Sequence, residues 1–271
     1  MNAPLLQAHG WCRERDRRWL TYHDHAKEKI WPQSLVFLRP ELGLLVCIRG
    51  AGGGSQQATF RGTLEAYLNA ASLTWSADQS GTLDERLLRL SEAVQREFQG
   101  AVEPFFANQF QGLWVSALTD ETDCVLRTHG RQRAYLLRSG LLRQVSEDST
   151  LWTKAQQSNA EGAKPWMNAI EFSTFGAGQF GRDTRGASTR FKWQPNDLLL
   201  LVSACPDEVD EQQLQSLLAE SLRCGDLERS ARQLYDSIET CAPNHPVSSS
   251  SWPRLGAVLL ARWGDVVVAD G

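Results

Sequence analysis

Apolar residues along this chain recur in two periods, and the order in which those periods alternate is its most informative feature. From Leu35 to Ile48, apolar and β-branched residues flank a turn-forming cluster at Pro40–Gly43, which predicts a hairpin of two short strands. Phe60, Leu64, Tyr67, Leu68 and Ala71 then fall at helical spacing, as do Leu83, Leu87, Leu90, Val94 and Phe98. Two amphipathic helices therefore follow the hairpin. Residues 112–145 hold four strand-like runs with turns at Asp120–Asp123 and Ser139–Gly140, which reads as an antiparallel meander. Residues 149–190 are rich in Gly, Ser, Asn, Gln and Arg with little periodicity, and read as a long, partly irregular insertion of the kind that often carries function. Beyond it, Asp197–Ser203 is an apolar strand, 210–221 and 226–241 read as helices, and the last strands close as a hairpin about Gly264–Asp265.

Strands and helices come in separate runs rather than strict alternation. That pattern predicts an α+β fold with two mainly antiparallel sheets, not a doubly wound parallel sheet. No internal repeat interrupts it, and residues 1–271 read as a single domain, large enough at 42% hydrophobic residues to bury a substantial core. A formal charge of -4 and a pI near 5.8 give no electrostatic footprint for nucleic acid. No run approaches the roughly 20 apolar residues of a membrane helix, and the N-terminal MNAPLLQAHGWCRERDRRW lacks a positive start before an apolar stretch. A cytoplasmic protein without membrane partners is the expectation. Cys12, Cys47, Cys124, Cys205, Cys224 and Cys241 form no CxxC pair, which speaks against a zinc site and for reduced thiols buried as small core residues.

Four blocks carry a resemblance. Residues 129–152, HGRQRAYLLRSGLLRQVSEDSTLW, match a G-D-S-R-A-Y, strand, turn, strand, T-x-D-H-S pattern at Gly130, Arg133, Ala134, Tyr135, Gly140 and Asp148. Residues 194–209, QPNDLLLLVSACPDEV, match P-G-D-x-L-L-L-x-S-D-G-L-x-D-V at Pro195, Asp197, Leu199, Leu200, Leu201, Ser203 and Val209. LLVCIRGAGGG (44–54) matches A-D-G-M-G-G at Gly50, Gly52 and Gly53, and QGLWVSAL (111–118) follows G-T-T-x-x-A-A-L. In this order, and spanning nearly the whole chain, the blocks resemble the metal-dependent type-2C (PPM) serine/threonine phosphatases. The resemblance implies a four-layer α/β/β/α sandwich, two stacked sheets flanked by helices.

The departures fall on the positions that do that family's chemistry. The aspartate that bridges two metal ions before the glycine turn corresponds to Arg49, followed by Gly50. The aspartate of G-D-S-R corresponds to Arg131, that of S-D-G to Ala204, and that of the terminal D-N-x-T falls near Pro253. Magnesium and manganese need hard oxygen ligands whose negative charge offsets their own. Arginine offers only donors and stays protonated. At about 4 Å and an effective dielectric near 20, a unit charge against a dication is worth roughly 8 kcal/mol, so an aspartate-to-arginine change turns a large attraction into a comparable repulsion. Without metals, the water that this family deprotonates to attack phosphorus has no activator. The reading is a degenerate member, a pseudophosphatase with no metal cofactor.

Several readings of these positions stay open. Asp24, in TYHDHA, corresponds to a family aspartate and is a residual carboxylate; Arg49 could pair with it in a fork-shaped ion pair. Alternatively Arg18, Arg49 and Arg131 form an anion-accepting cleft that holds phosphate without cleaving it. A third reading is an active magnesium- or manganese-dependent phosphatase with ligands from Asp24, Asp148, Asp207 or Glu208, and a fourth a purely structural subunit. By analogy with the family, the partner is a protein, a serine/threonine kinase or a phosphoprotein, and the role lies in phosphorylation signalling.

Other candidates are weaker. GAGGGS (50–55) lacks the GK[ST] ending of a phosphate-binding loop and reads as a turn between strand and helix. His23 and His25 supply too few ligands for a metal. Ser203 and Cys205 lack the nucleophile signature GxSxG. Among the ten tryptophans, Trp152 and Trp166 stand in the polar insertion as candidate contact residues.

Overall fold

The structure, a computed structural model, describes residues 5–12, 30–53, 68–76, 78–101, 111–158, 186–203, 209–241 and 257–264. The strands are β1 (Leu5–Cys12), β2 (Ile30–Arg39), β3 (Leu44–Gly53), β4 (Gln111–Thr119), β5 (Asp123–Thr128), β6 (Arg133–Arg138), β7 (Leu141–Gln144), β8 (Ala187–Lys192), β9 (Leu198–Ser203) and β10 (Ala257–Gly264). The helices are α1 (68–76), α2 (Leu83–Ala101), α3 (Leu151–Gln157), α4 (Glu211–Ser221) and α5 (Leu227–Cys241). One sheet has the order β2-β3-β4-β5-β8 and the other β1-β10-β9-β6-β7, with every pairing antiparallel.

Side-chain alternation along the strands builds three layers of apolar contact. Leu44, Val46 and Ile48 of β3 and Trp114 and Leu118 of β4 meet Leu68 and Trp75 of α1 and Leu83, Leu87, Leu90 and Val94 of α2. On their other face, Leu45 and Cys47 of β3 and Val115 and Ala117 of β4 pack against Leu199 and Leu201 of β9 and Leu259 of β10. Leu198, Leu200 and Val202 then turn outward to Leu214 and Leu218 of α4 and Leu234 and Ile238 of α5. The result is the expected α/β/β/α stack of two antiparallel sheets flanked by helices. Among the described residues, no helix is long and apolar enough to cross a membrane.

Helix starts follow local chemistry. At the start of α2, Thr82 and Glu85 form a capping box: the Glu85 carboxylate accepts from Thr82 N–H at 2.8 Å, and Thr82 Oγ1 accepts from Glu85 N–H at 3.3 Å. Asp210 caps α4 by accepting from Gln213 N–H at 2.7 Å, and Asp226 accepts from Arg229 N–H at 2.6 Å at the start of α5.

Five expectations need correction. Residues 112–145 are not one meander: β4 and β5 lie in one sheet, β6 and β7 in the other, and the chain crosses between them at 129–132. Local turn signals mark where strands end but not which sheet receives the next one. Gly50–Gly53 extend β3 opposite Ile30–Gln33 instead of forming a turn. The insertion at 149–190 has regular ends, since it opens on α3 and its last residues enter β8, whose side chains alternate between half-buried and exposed. In the closing hairpin, Ala257–Arg262 are already paired on both edges, by β1 and β9, and the expected partner strand lies outside the described residues. Cys47 and Cys124 are buried, but Cys224 is exposed and Cys241 half-buried. β1 itself was not foreseen.

The end of the sandwich at the β2–β3 and β4–β5 turns is a structural lock. Gly43 holds a left-handed φ of 69°, and a Cβ there would collide with the Thr119 carbonyl oxygen. Thr119 N–H donates to Gly43 O at 3.0 Å, and Trp193 donates its indole N–H to Thr119 Oγ1. Gly43→Ala is expected to cost about 3 kcal/mol of stability, from the positive φ and the displaced backbone together, read as a lower midpoint in urea unfolding. The thiols give a second test. Burial, ahead of the negative charge of Asp120, pushes the Cys124 thiol up, whereas its hydrogen bond with Ser230 holds that of Cys224 below its usual range. Among these four thiols, a thiol reagent under native conditions is expected to label Cys224 first and to spare Cys47 and Cys124 until the chain unfolds, as followed by peptide mass mapping.

Candidate functional site

Of the positions read as degenerate metal ligands, the described ones, Arg49, Gly50 and Arg131, lie at the opposite end of the sandwich. In β3, Arg49 stands opposite Leu113 of β4, and Gly50 opposite Gly112. The β4–β5 register sets Val115 opposite Thr128 and carries on into the crossover, where His129 N–H donates to Trp114 O at 3.0 Å. The same register brings Leu113 level with Gly130. Arg49 and the Gly130–Arg131 turn thus share one row of the sheet, two strand spacings or about 10 Å apart along the backbone.

The second sheet ends at the same level. Arg133 of β6 is opposite Val202 of β9, and Ser203 is opposite Ala257 of β10. Ser203 lies two residues past Leu201, whose side chain belongs to the layer between the sheets. Its hydroxyl is fully buried and has no hydrogen-bond partner among the described residues. Ala204 follows it directly, outside the described residues, as are Arg18, Asp24, Cys205, Asp207, Glu208 and Pro253 and the histidines His23 and His25.

The crossover itself is tightly clamped. Gly130 has a left-handed φ of 64° and forms an isolated bridge with Ser149, whose N–H donates to Gly130 O at 2.7 Å. Thr128 Oγ1 donates to Glu147 O at 2.9 Å, and Ser146 Oγ accepts from Ala134 N–H at 2.9 Å. Arg133 donates from Nε and Nη2 to the two oxygens of Asp148 at 3.1 and 2.8 Å, while Gln144 Nε2 reaches Asp148 Oδ1 at 3.3 Å. The hydrogen bond to Asp148 outweighs burial and raises the Arg133 pKa above its ordinary value. His129 is fully buried beside Gly186, where an added Cβ would stand 2.9 Å from His129 Nε2 and meet the Thr128 carbonyl oxygen. Arg131 is half-buried.

Among the described residues, the donor set does not fit a pair of divalent cations. Among the described residues, no three His, Cys, Asp or Glu side chains come together. Positions 49 and 131, whose backbone shares the row in which the resemblance implies carboxylates, are both arginine. Asp148, a ligand in the rearranged-site reading, already gives both oxygens to Arg133.

Three ion pairs escaped the sequence. Arg127 binds both oxygens of Asp84 at 2.9 and 2.8 Å and so ties β5 to the first turn of α2, where Ser188 also reaches Asp84 Oδ1 at 2.6 Å. Arg138 grips Asp197 at 2.9 and 2.6 Å, joining β6 to the turn before β9. Their partners lie 43 and 59 residues apart in sequence, beyond any local pattern. Arg133 and Asp148 were both quoted in the resemblance, yet nothing in the sequence paired them. Asp148→Ala should cost about 2 kcal/mol and leave a double-mutant cycle with Arg133→Ala strongly non-additive, measured by urea unfolding of the four proteins.

No protein-family model matches the sequence, and no curated protein sequence matches it. Solved structures do match its shape. The catalytic domain of serine/threonine protein phosphatase PstP in complex with two manganese ions superposes with a TM-score of 0.64 at 19% identity, over 97% of this chain and 100% of that one. Mycobacterium tuberculosis serine/threonine phosphatase PstP/Ppp gives 0.66 at 18% identity over 96% and 100%. PppA, a key regulatory component of the type VI secretion system in Pseudomonas aeruginosa, gives 0.61 at 16% identity over 96% and 98%. With both sheets, both helix layers and nearly the full length in common, the chain has the fold of the PPM serine/threonine phosphatases.

Proposed function

We propose that this chain is a catalytically inactive PPM-fold protein that binds rather than hydrolyses, acting as a regulatory module on a phosphoprotein or a serine/threonine kinase. The observation that carries this reading is the row holding Arg49 and Arg131 at one end of the sandwich, where the resemblance implies metal-bridging carboxylates. Guanidinium groups there oppose a dication and suit the oxygens of a phosphoryl group. In this reading Arg131 and Arg49, joined by Arg18, accept the anion, and Asp24 remains as a single carboxylate. The Gly130–Ser149 bridge and the Arg133–Asp148 pair fix the backbone that carries Arg131.

The rival reading, a manganese-dependent phosphatase with a rearranged site, requires Asp148 to leave Arg133 or a ligand set drawn from Asp24, Asp207 and Glu208. Both readings meet in one experiment on the full chain. With millimolar manganese and a phosphothreonine peptide, no phosphate release above buffer is expected, whereas the same peptide binds in the millimolar range or tighter. Arg131→Ala should weaken that binding at least fivefold by calorimetry. Robust metal-dependent turnover overturns the inactive reading, and absence of binding at millimolar peptide overturns the anion-accepting site.

A further inference from the structure

The sheet β1-β10-β9-β6-β7 ends on β7, a strand whose outer edge is where another chain could add. Its inner edge pairs with β6 through the two-residue turn Ser139–Gly140, both at positive φ (52° and 80°). The N–H groups of Leu142 and Gln144 are therefore the ones facing away from β6, and both are taken by side chains of α4. Gln215 Oε1 accepts from Leu142 N–H at 2.9 Å, and Glu211 Oε1 accepts from Gln144 N–H at 3.1 Å. Gln215 also donates, from Nε2 to Gly140 O at 3.1 Å.

One amide that donates to the carbonyl of residue 140 and accepts from the N–H of residue 142 reproduces the two bonds of a parallel β-bridge to Leu141. The Gln215 side chain thus supplies the two groups that the N–H and C=O of one residue of a neighbouring strand would supply. Glu211, one helical turn earlier on the same face, takes the next outward N–H. Leu214 and Leu218, packed in the core beneath, fix α4 in this position. Other edges carry their own devices: β2 has Pro32, which offers no N–H, and β8 exposes Arg190 and Lys192.

We propose that Glu211 and Gln215 are edge guards, a strand mimic that keeps β7 closed to strand addition, and that removing them lets β7 pair with β7 of a second copy of this chain. The second copy fits the edge because antiparallel pairing about Leu142–Gln144 is self-complementary, each strand offering the N–H and C=O groups the other needs. The half-exposed Leu141, at 46%, and the exposed Arg143 leave the strand open to solvent on one face.

The test uses the full chain with Glu211→Ala and Gln215→Ala together. Residue-resolved amide exchange by NMR should show Leu142 and Gln144 exchanging at least tenfold faster, with Leu199–Leu201 of β9 still protected as the sign of an intact core. Sedimentation velocity should show the double variant rising in mass with concentration above the parent. Gln215→Glu keeps the acceptor and should keep Leu142 protected. If the double variant loses protection in β9, Gln215→Ala alone carries the same test at Leu142. Unchanged exchange at Leu142 and Gln144, fast exchange without a rise in mass, or Gln215→Glu behaving like Gln215→Ala would each overturn the proposal.

Discussion

A strand that is apolar on both faces must be covered on both, and three strands of this protein are of that kind. Leu44–Ile48 in β3, Leu198–Val202 in β9 and Val258–Ala261 in β10 are buried throughout. Each such side chain contributes about 1.5–3 kcal/mol when taken from water. One face of each strand finds the other sheet, and the opposite face finds a helix pair. Four layers are the arrangement that satisfies both demands, and everything at the ends of the sandwich is positioned by them.

The two ends then divide the work. One is closed by Gly43, Thr119, Trp193 and the Arg138–Asp197 pair through hydrogen bonds between backbone and side chains. At the other, the chain crosses from one sheet to the other at 129–132, Arg49 of β3 shares a row with that crossover, and Arg133 at the start of β6 pairs with Val202 near the end of β9. Where the sequence follows the PPM pattern, the matching residues have structural duties: Gly130 and Gly140 hold positive φ, Ala134 and Tyr135 fill the two sides of β6, and Arg133–Asp148 and Asp197 bind elements together. Of the departures among the described residues, Arg49 stands within β3 and Arg131 in the turn after β5. The buried layers are built from other residues, Leu44–Ile48, Leu198–Val202 and Val258–Ala261 among them, so the fold does not depend on a carboxylate at either position.

Much of this was legible beforehand because it rests on short-range regularity. The alternation of Leu44–Ile48, the apolar run Leu198–Val202, the helical spacing of Leu83, Leu87, Leu90 and Val94 and the Ser139–Gly140 turn each identify an element from a few neighbours. β8 was present in the pattern too, as the alternation of Ala187, Thr189 and Phe191 with polar residues, but the Gly- and Ser-rich stretch before it hid the signal. β1 gave none strong enough, since it is held by pairing with β10, some 250 residues away in sequence. The ion pairs Arg127–Asp84 and Arg138–Asp197, and the grip of α4 on β7, join residues that no local rule brings together.

The sequence by itself determined which residues must be buried and, through the order of its motifs, the family of folds that buries them, because periodicity and turn chemistry are properties of neighbouring residues. The resemblance also implies carboxylates where the sequence has Arg49, Arg131 and Ala204, and near Pro253. Only the tertiary structure decided that β5 and β6 part into different sheets, that Arg49 and Arg131 stand in one row, that Asp148 is committed to Arg133, and that a glutamine on a helix completes a sheet. Those outcomes depend on which distant surfaces meet, and packing of whole layers settles that.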